Sequence, residues 1–175
     1  MTRIFLIGYM GAGKTTLGKA LAKALGLEFI DLDWYIENRY RKTISQIFQE
    51  KGEEGFRLLE QKMLHEAGEI EDVVVSCGGG TPCFFDNMDF MNRQGQTLLL
   101  SASMEALVRR LTISRKKRPI LKDKTPEQLE AFVRDALSQR APFYSEAAFE
   151  VDSSFLESVP EIQDTVDKVR KILNI

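Results

Sequence analysis

Short apolar runs alternate along the chain with longer stretches of helical period. Arg3 to Ile7, rich in β-branched and aromatic residues and stopped by Gly8, predicts a buried strand. From Lys14 to Leu25, the apolar residues Leu17, Leu21, Ala24 and Leu25 recur at helical spacing, and Gly26 supplies a left-handed stop. Glu28 to Asp31 reads as a second strand, followed by helices over Trp34 to Tyr40, Ile44 to Glu50 and Glu54 to Ala67. The last of these carries Phe56, Leu59 and Met63 on one face. Val73 to Ser76, Thr97 to Ser101 and Phe149 to Val151 complete a set of five strands, with a helix through Leu107 and Leu111 after the fourth. Residues 112–124 are polar, without an apolar period, and are expected to form a mobile excursion. Thr125, Pro126 and Gln128 form a cap, a first-turn proline and a capping-box partner for a helix from Pro126 to Gln139. Val159 to Leu173 is a final amphipathic helix. The alternation predicts an α/β fold, a mostly parallel sheet with helices on both faces, whose chemistry sits beyond the carboxyl ends of the strands.

At 175 residues the chain fits a single domain spanning residues 1–175, and its 43% hydrophobic content supplies a core without help from disulfides or metals. The 24 Lys and Arg residues against 26 Asp and Glu leave a net charge of -2, which argues against a general nucleic-acid binder. Cys77 and Cys83 flank a glycine run, match no redox or disulfide framework and are expected to be reduced. The single histidine, His65, rules out a His-rich zinc site and is expected to be structural or merely exposed. No apolar stretch approaches the roughly 20 residues of a membrane span, and Met1 to Leu6 has no leader pattern, so a cytoplasmic protein is expected.

Gly8-Tyr9-Met10-Gly11-Ala12-Gly13-Lys14-Thr15 matches GxxxxGK[ST] at every fixed position and lies between a predicted strand and a predicted helix, as phosphate binding requires. Backbone N–H groups of Gly11, Ala12, Gly13 and the following Lys14, Thr15 and Thr16 would curl round phosphate oxygens at a helix N-terminus. Lys14 would bridge the β- and γ-phosphates of ATP, and the Thr15 hydroxyl would ligate Mg²⁺. Neither an [NT]KxD nor a DxxG string occurs, which disfavours a GTPase and leaves small-molecule and nucleotide kinases.

Asp31 and Asp33 flank Leu32 at the end of the second strand. Strand period would point both carboxylates one way, one toward Mg²⁺ waters and the other toward an acceptor hydroxyl; equally, Asp33 would serve as N-cap to a helix starting at Trp34. Gly78, Gly79 and Gly80 either let a ligand approach the backbone or make a tight turn before Pro82. Between Arg109 and Arg118 six of ten residues are cationic, a local field for ATP or RNA unless it is a solvated charge run. A flexible arginine delivered over the phosphates would stabilise a transferring phosphoryl group. By composition Arg57 and Arg140 are ordinary surface arginines, and Cys77 is a small buried residue.

Taken together, the phosphate loop, Asp31-Leu32-Asp33, Gly52-Glu-Glu-Gly55-Phe-Arg57, Ser76-Cys77-Gly78-Gly79-Gly80, Arg118-Pro119-Ile120-Leu121 and Arg140-Ala-Pro-Phe-Tyr144 resemble the shikimate kinase family over nearly the whole chain. The resemblance implies a five-stranded parallel sheet of order 2-3-1-4-5, a substrate-binding region at about 33–61, a mobile lid at about 112–124, and Mg²⁺-dependent transfer from ATP to the 3-hydroxyl of shikimate. It gives Asp33 the acceptor hydroxyls and Asp31 a water-mediated contact to Mg²⁺. Arg57 and Arg140 would clamp the shikimate carboxylate, Gly78, Gly79 and Gly80 would border the ring, and Arg118 would reach the transferring phosphate. Arg110 would lie against adenine, or Arg109 if the slightly longer stretch before Arg118 shifts the register. A monomer binding no nucleic acid and no membrane is expected. Asp152 to Pro160 lacks the arginine often found in the family's adenine loop and carries no assigned residue.

Overall fold

A computed structural model describes residues 1–114 and 117–175. Five strands, β1 (Arg3–Ile7), β2 (Glu28–Asp31), β3 (Val73–Ser76), β4 (Gln96–Ser101) and β5 (Phe149–Asp152), form one all-parallel sheet in the order β2-β3-β1-β4-β5. Ile4 to Ile7 and Val73 to Val75 are fully buried, as strands covered by helices on both faces must be. The helices are α1 (Lys14–Leu25), α2 (Leu32–Tyr40), α3 (Ile44–Gly68), α4 (Asn87–Gln94), α5 (Met104–Ser114), α6 (Pro126–Tyr144) and α7 (Val159–Leu173).

Register brings distant segments together at one edge. Leu6 pairs with Ser76 and Ser76 with Asp31, so the loop after β1, the glycines after β3 and the carboxylates after β2 all leave the sheet side by side. The strand order reverses at β1, where the chain crosses to β4 and opens the crevice that α/β sheets use for ligands.

Several boundaries differ from the sequence expectation. The two helices expected over residues 44–67 are both present, joined end to end in α3 and separated by a kink at Gly52, whose left-handed φ of 68° only glycine adopts readily. Helix α2 starts at Leu32 with Asp31 as its cap, so Asp33 lies in the first turn and is not the N-cap. The helix expected to stop at Gln139 continues to Tyr144 through Pro142, which carries Arg140 and Tyr144 on one rigid element. Helix α4 was not expected; Met88, Phe90 and Met91 bury it beneath β4. Within 112–124, Ser114 still belongs to α5, a 3₁₀ turn spans Pro119–Leu121, and Leu121 is fully buried in the core. Arg115 and Lys116 lie outside the described residues. Among the described residues no helix is long and apolar enough to cross a membrane.

Candidate active site

The loop after β1 turns into α1 through Gly13, whose left-handed φ of 97° leaves the helix without a side-chain cap. Its first N–H groups therefore remain available to an anion. Any side chain at Gly13 would also collide with Leu156, which packs down on the loop. Lys14 Nζ donates to the carbonyls of Gly8 at 2.7 Å and Tyr9 at 3.0 Å, holding the ammonium over the loop. Burial lowers its pKa to about 8, against the opposing pull of the Asp33 carboxylate. Ala12 is buried behind the loop, its N–H donating to the Tyr9 carbonyl.

Asp31, and not Asp33, takes the helix-cap part that the sequence offered, and it also reaches the phosphate loop. Its Oδ1 accepts from the Trp34 N–H at 3.2 Å as helix cap, while Oδ2 accepts from the Thr15 hydroxyl at 3.1 Å. Asp33, two residues further, has its pKa raised to about 6 by burial and then by the neighbouring Asp31 and Glu60 carboxylates, with Lys14 opposing. The oxygens of Thr15 and Asp31 suit Mg²⁺, a hard cation that takes one or two protein oxygens and fills its remaining positions from phosphate and water. Among the described residues no group of three or more His, Cys, Asp or Glu side chains is placed to hold a metal ion.

At the other end of the glycine run two guanidiniums converge from separate helices. Arg57 on α3 is neither exposed nor ordinary: its side chain is 13% exposed, its Nη1 donates to Glu60 Oε1 at 2.8 Å, and its Cζ lies 4.1 Å from the Phe84 ring centre. Arg140 on α6 sits over the Tyr9 ring at 5.3 Å, and no carboxylate pairs with it among the described residues. The glycines let both arginines approach. A Cβ at Gly80 would stand 2.6 Å from Arg57 Nη2, and one at Gly79 would stand 3.0 Å from Arg140 Nη1. Tyr144 ties the same run to α6, its hydroxyl donating to the Gly79 carbonyl at 2.6 Å; burial pushes this phenol up to about 12.

Arg110 closes the opposite flank. It donates to the Gly11 carbonyl at 3.1 Å, to the Ser153 and Ser154 carbonyls at 2.8 and 3.0 Å, and to Glu157 at 3.0 Å. Arg109 shares Glu157, and these hydrogen bonds, Arg110 foremost, hold the Glu157 carboxyl down at about 2. Segment 153–157, which received no assigned residue, thus supplies the partners of both arginines.

The phosphate loop, both carboxylates, Gly78, Gly79, Arg110 and Glu157 line one cleft of about 670 Å³. Arg118 lines it from the 112–124 stretch, and Trp34, 63% exposed, stands on the wall beside Asp33. Of the residues expected at the site, all but Ala12, Arg57, Gly80 and Arg140 line this volume, and the last three stand together just beyond Gly79. Glu60 and Tyr144 carry roles that residue-by-residue reading did not assign. Glu60 was within reach of it, since it lies three positions after Arg57 on a predicted helix, where opposite charges meet. His65 stacks on Phe90 at 3.9 Å in a structural role, and Cys77 is buried.

The shikimate kinase family model matches residues 10–171. A shikimate kinase of Phocaeicola vulgatus is 58% identical over 174 residues, covering 99% of each chain. The crystal structure of shikimate kinase from Bacteroides thetaiotaomicron superposes with a TM-score of 0.96 at 52% identity, covering 99% of both chains. That of Acinetobacter baumannii shikimate kinase in complex with shikimate gives 0.85 at 34% identity, covering 99% of this chain and 94% of that one. With its phosphate loop and paired carboxylates lining one cleft and two arginines converging just beyond it, the chain belongs to the shikimate kinase family.

Proposed function

We propose that this chain transfers the γ-phosphoryl group of ATP to the 3-hydroxyl of shikimate, giving shikimate 3-phosphate and ADP, the activity named for its relatives. The observation that carries the acceptor half is the meeting of Arg57 and Arg140 at the glycine run, one step along the cleft from Asp33. Two guanidinium forks suit a carboxylate bidentately, and an acceptor anchored there by its acid group would offer a ring hydroxyl toward Asp33. Near neutral pH a group of pKa about 6 is a carboxylate, able to orient that hydroxyl and take its proton as the oxygen attacks phosphorus. The bond from phosphorus to the ADP oxygen breaks as the new one forms. Lys14 and the loop N–H groups balance the charge spread over the phosphate oxygens, and Arg118 adds to them from the lid. Thr15 and Asp31 would hold Mg²⁺, directly and through water, and when bound it neutralises charge on the β- and γ-oxygens. Arg110 and segment 153–157 border the nucleotide. The two free thiols support a reducing cytoplasmic location, and the reading takes the enzyme as a monomer.

The test is incubation with Mg-ATP and either shikimate or gluconate, followed by mass spectrometry. Shikimate 3-phosphate with shikimate and no product with gluconate is expected. Gluconate phosphorylation, or neither product despite ATP binding, would remove the acceptor assignment.

A further inference from the structure

Arg57 is fixed by more than its own helix. The Glu60 carboxylate that accepts from it is 1% exposed, and its second oxygen, Oε2, accepts from the Thr81 hydroxyl at 2.8 Å. Thr81 is fully buried in the 3₁₀ turn Thr81–Cys83, and its carbonyl accepts from Asn87 Nδ2 at 2.9 Å. Asn87, also fully buried, is the first residue of α4. Asn87, Thr81, Glu60 and Arg57 therefore form one unbroken polar path from α4 through the turn to α3 and into the acceptor end.

The terminal torsion of a glutamate is broad, so a single bond to Arg57 would leave the carboxylate plane free to swing. A second donor on a rigid turn removes that freedom. The placement also involves Asp33. A Cβ at Gly78 would meet Thr81 Oγ1 at 3.1 Å, Asp33 Oδ1 at 3.2 Å and Glu60 Oε2 at 3.3 Å, so the hydroxyl occupies the point where two carboxylates come near each other. Its proton goes to the Glu60 oxygen at that point, which leaves Asp33 Oδ1 for other partners.

We propose that Thr81 is a positioning residue for acceptor recognition: its buried hydroxyl fixes the plane of the Glu60 carboxylate and, through it, the direction of the Arg57 fork. The inference rests on the reading of Arg57 as half of the carboxylate clamp. Thr81→Val keeps the shape and removes the donor, leaving a buried carboxylate oxygen without its partner. We expect the KM for shikimate to rise about tenfold while kcat and the KM for ATP stay within about twofold of the parent. Thr81→Ser, which restores the hydroxyl, returns the KM to the parent value. Glu60→Gln also raises the KM, and adding Thr81→Val to it gives little further increase, because both changes act on one path.

An unchanged shikimate KM in Thr81→Val, failure of Thr81→Ser to restore it, or full additivity in the double variant overturns the proposal. Should Thr81→Val not fold, Thr81→Ala against Thr81→Ser carries the same comparison, with the KM for ATP as the check on intact structure. Arg57→Lys run alongside separates the two readings. An unchanged shikimate KM there removes the clamp and the proposal together, whereas a raised one beside an unaffected Thr81→Val removes the proposal alone.

Discussion

In the proposed function the two ends of the cleft would hold an anion by different means. At the phosphate end nine consecutive residues, Gly8 to Thr16, would do the work with backbone N–H groups and one ammonium, which rests on carbonyls of its own loop. At the acceptor end the positive groups come from residues 57 and 140, on separate helices, and each is propped by further side chains: Glu60 and Phe84 for Arg57, Tyr9 for Arg140. Backbone recognition tolerates change in most side chains around it. Side-chain recognition depends on a second tier, and the two arginines differ in that tier, one charge-paired and the other lying on an aromatic face.

The largest effect should come from removing the charge at the phosphate end. Lys14→Met is expected to lower turnover on the order of 10²–10³-fold. The same change should raise the Tm of the free enzyme at pH 7. The folded-state pKa, about 8, lies below the 10.5 of an unperturbed lysine, so the unfolded chain binds more protons between those values and stability rises with pH across that window. The charged lysine thus weighs against the fold below pH 8, and the Tm difference should vanish above pH 10.5. A fall in Tm at pH 7 would show that the two carbonyl contacts outweigh the burial.

The two arginines offer a sharper test. Arg57→Met strands the Glu60 carboxylate in the interior and should cost roughly 3–5 kcal/mol of stability in denaturant unfolding, besides weakening shikimate binding. Arg140→Met, with no carboxylate left behind, should weaken shikimate binding with less than about 1 kcal/mol of stability change. Equal losses of stability would erase the distinction between the two supports.

The pH dependence joins the two ends. For the free enzyme, kcat/KM for ATP and shikimate should rise through about pH 6 as Asp33 ionises and fall through about pH 8 as Lys14 loses its proton. Asp33→Asn should remove the acid limb along with most of the rate. Asp33 also has a folded-state pKa raised above its ordinary 3.8, so it favours the fold at low pH and loses that contribution as pH climbs through about 6. Asp33→Asn should therefore be the more stable protein at pH 7. The smallest effect is expected at the flank: Glu157 is 44% exposed, so Glu157→Gln should shift Tm very little and change the KM for ATP by less than about threefold.

Much of this was readable before any coordinates. The strands, the phosphate loop and the capped start of α6 depend on neighbours a few residues away, and sequence carries such local information directly. Asp31 and Asp33 were legible as a pair but not in their division of labour, because helix α2 begins two residues earlier than its apolar pattern indicates. The arginines became legible only through resemblance: nothing local distinguishes Arg57 from Arg93, whose side chain is 64% exposed, until the fold brings the glycine run against it. Thr81, Asn87 and helix α4 stayed silent for a related reason. Their partners lie on other elements, and α4 is only eight residues long, too short to show a period. Leu121 was hidden in the same way, a single apolar residue among charges that the core nevertheless receives.

Trp34 has a consequence of its own. It is the chain's one tryptophan, it is 63% exposed, and it borders the cleft next to Asp33. Tryptophan emission, excited at wavelengths the four tyrosines do not absorb, therefore reports from a single place. Any ligand that displaces water from that wall changes the dielectric around the indole, so the fluorescence spectrum works as a built-in optical titration of the cleft, free of labels and of turnover.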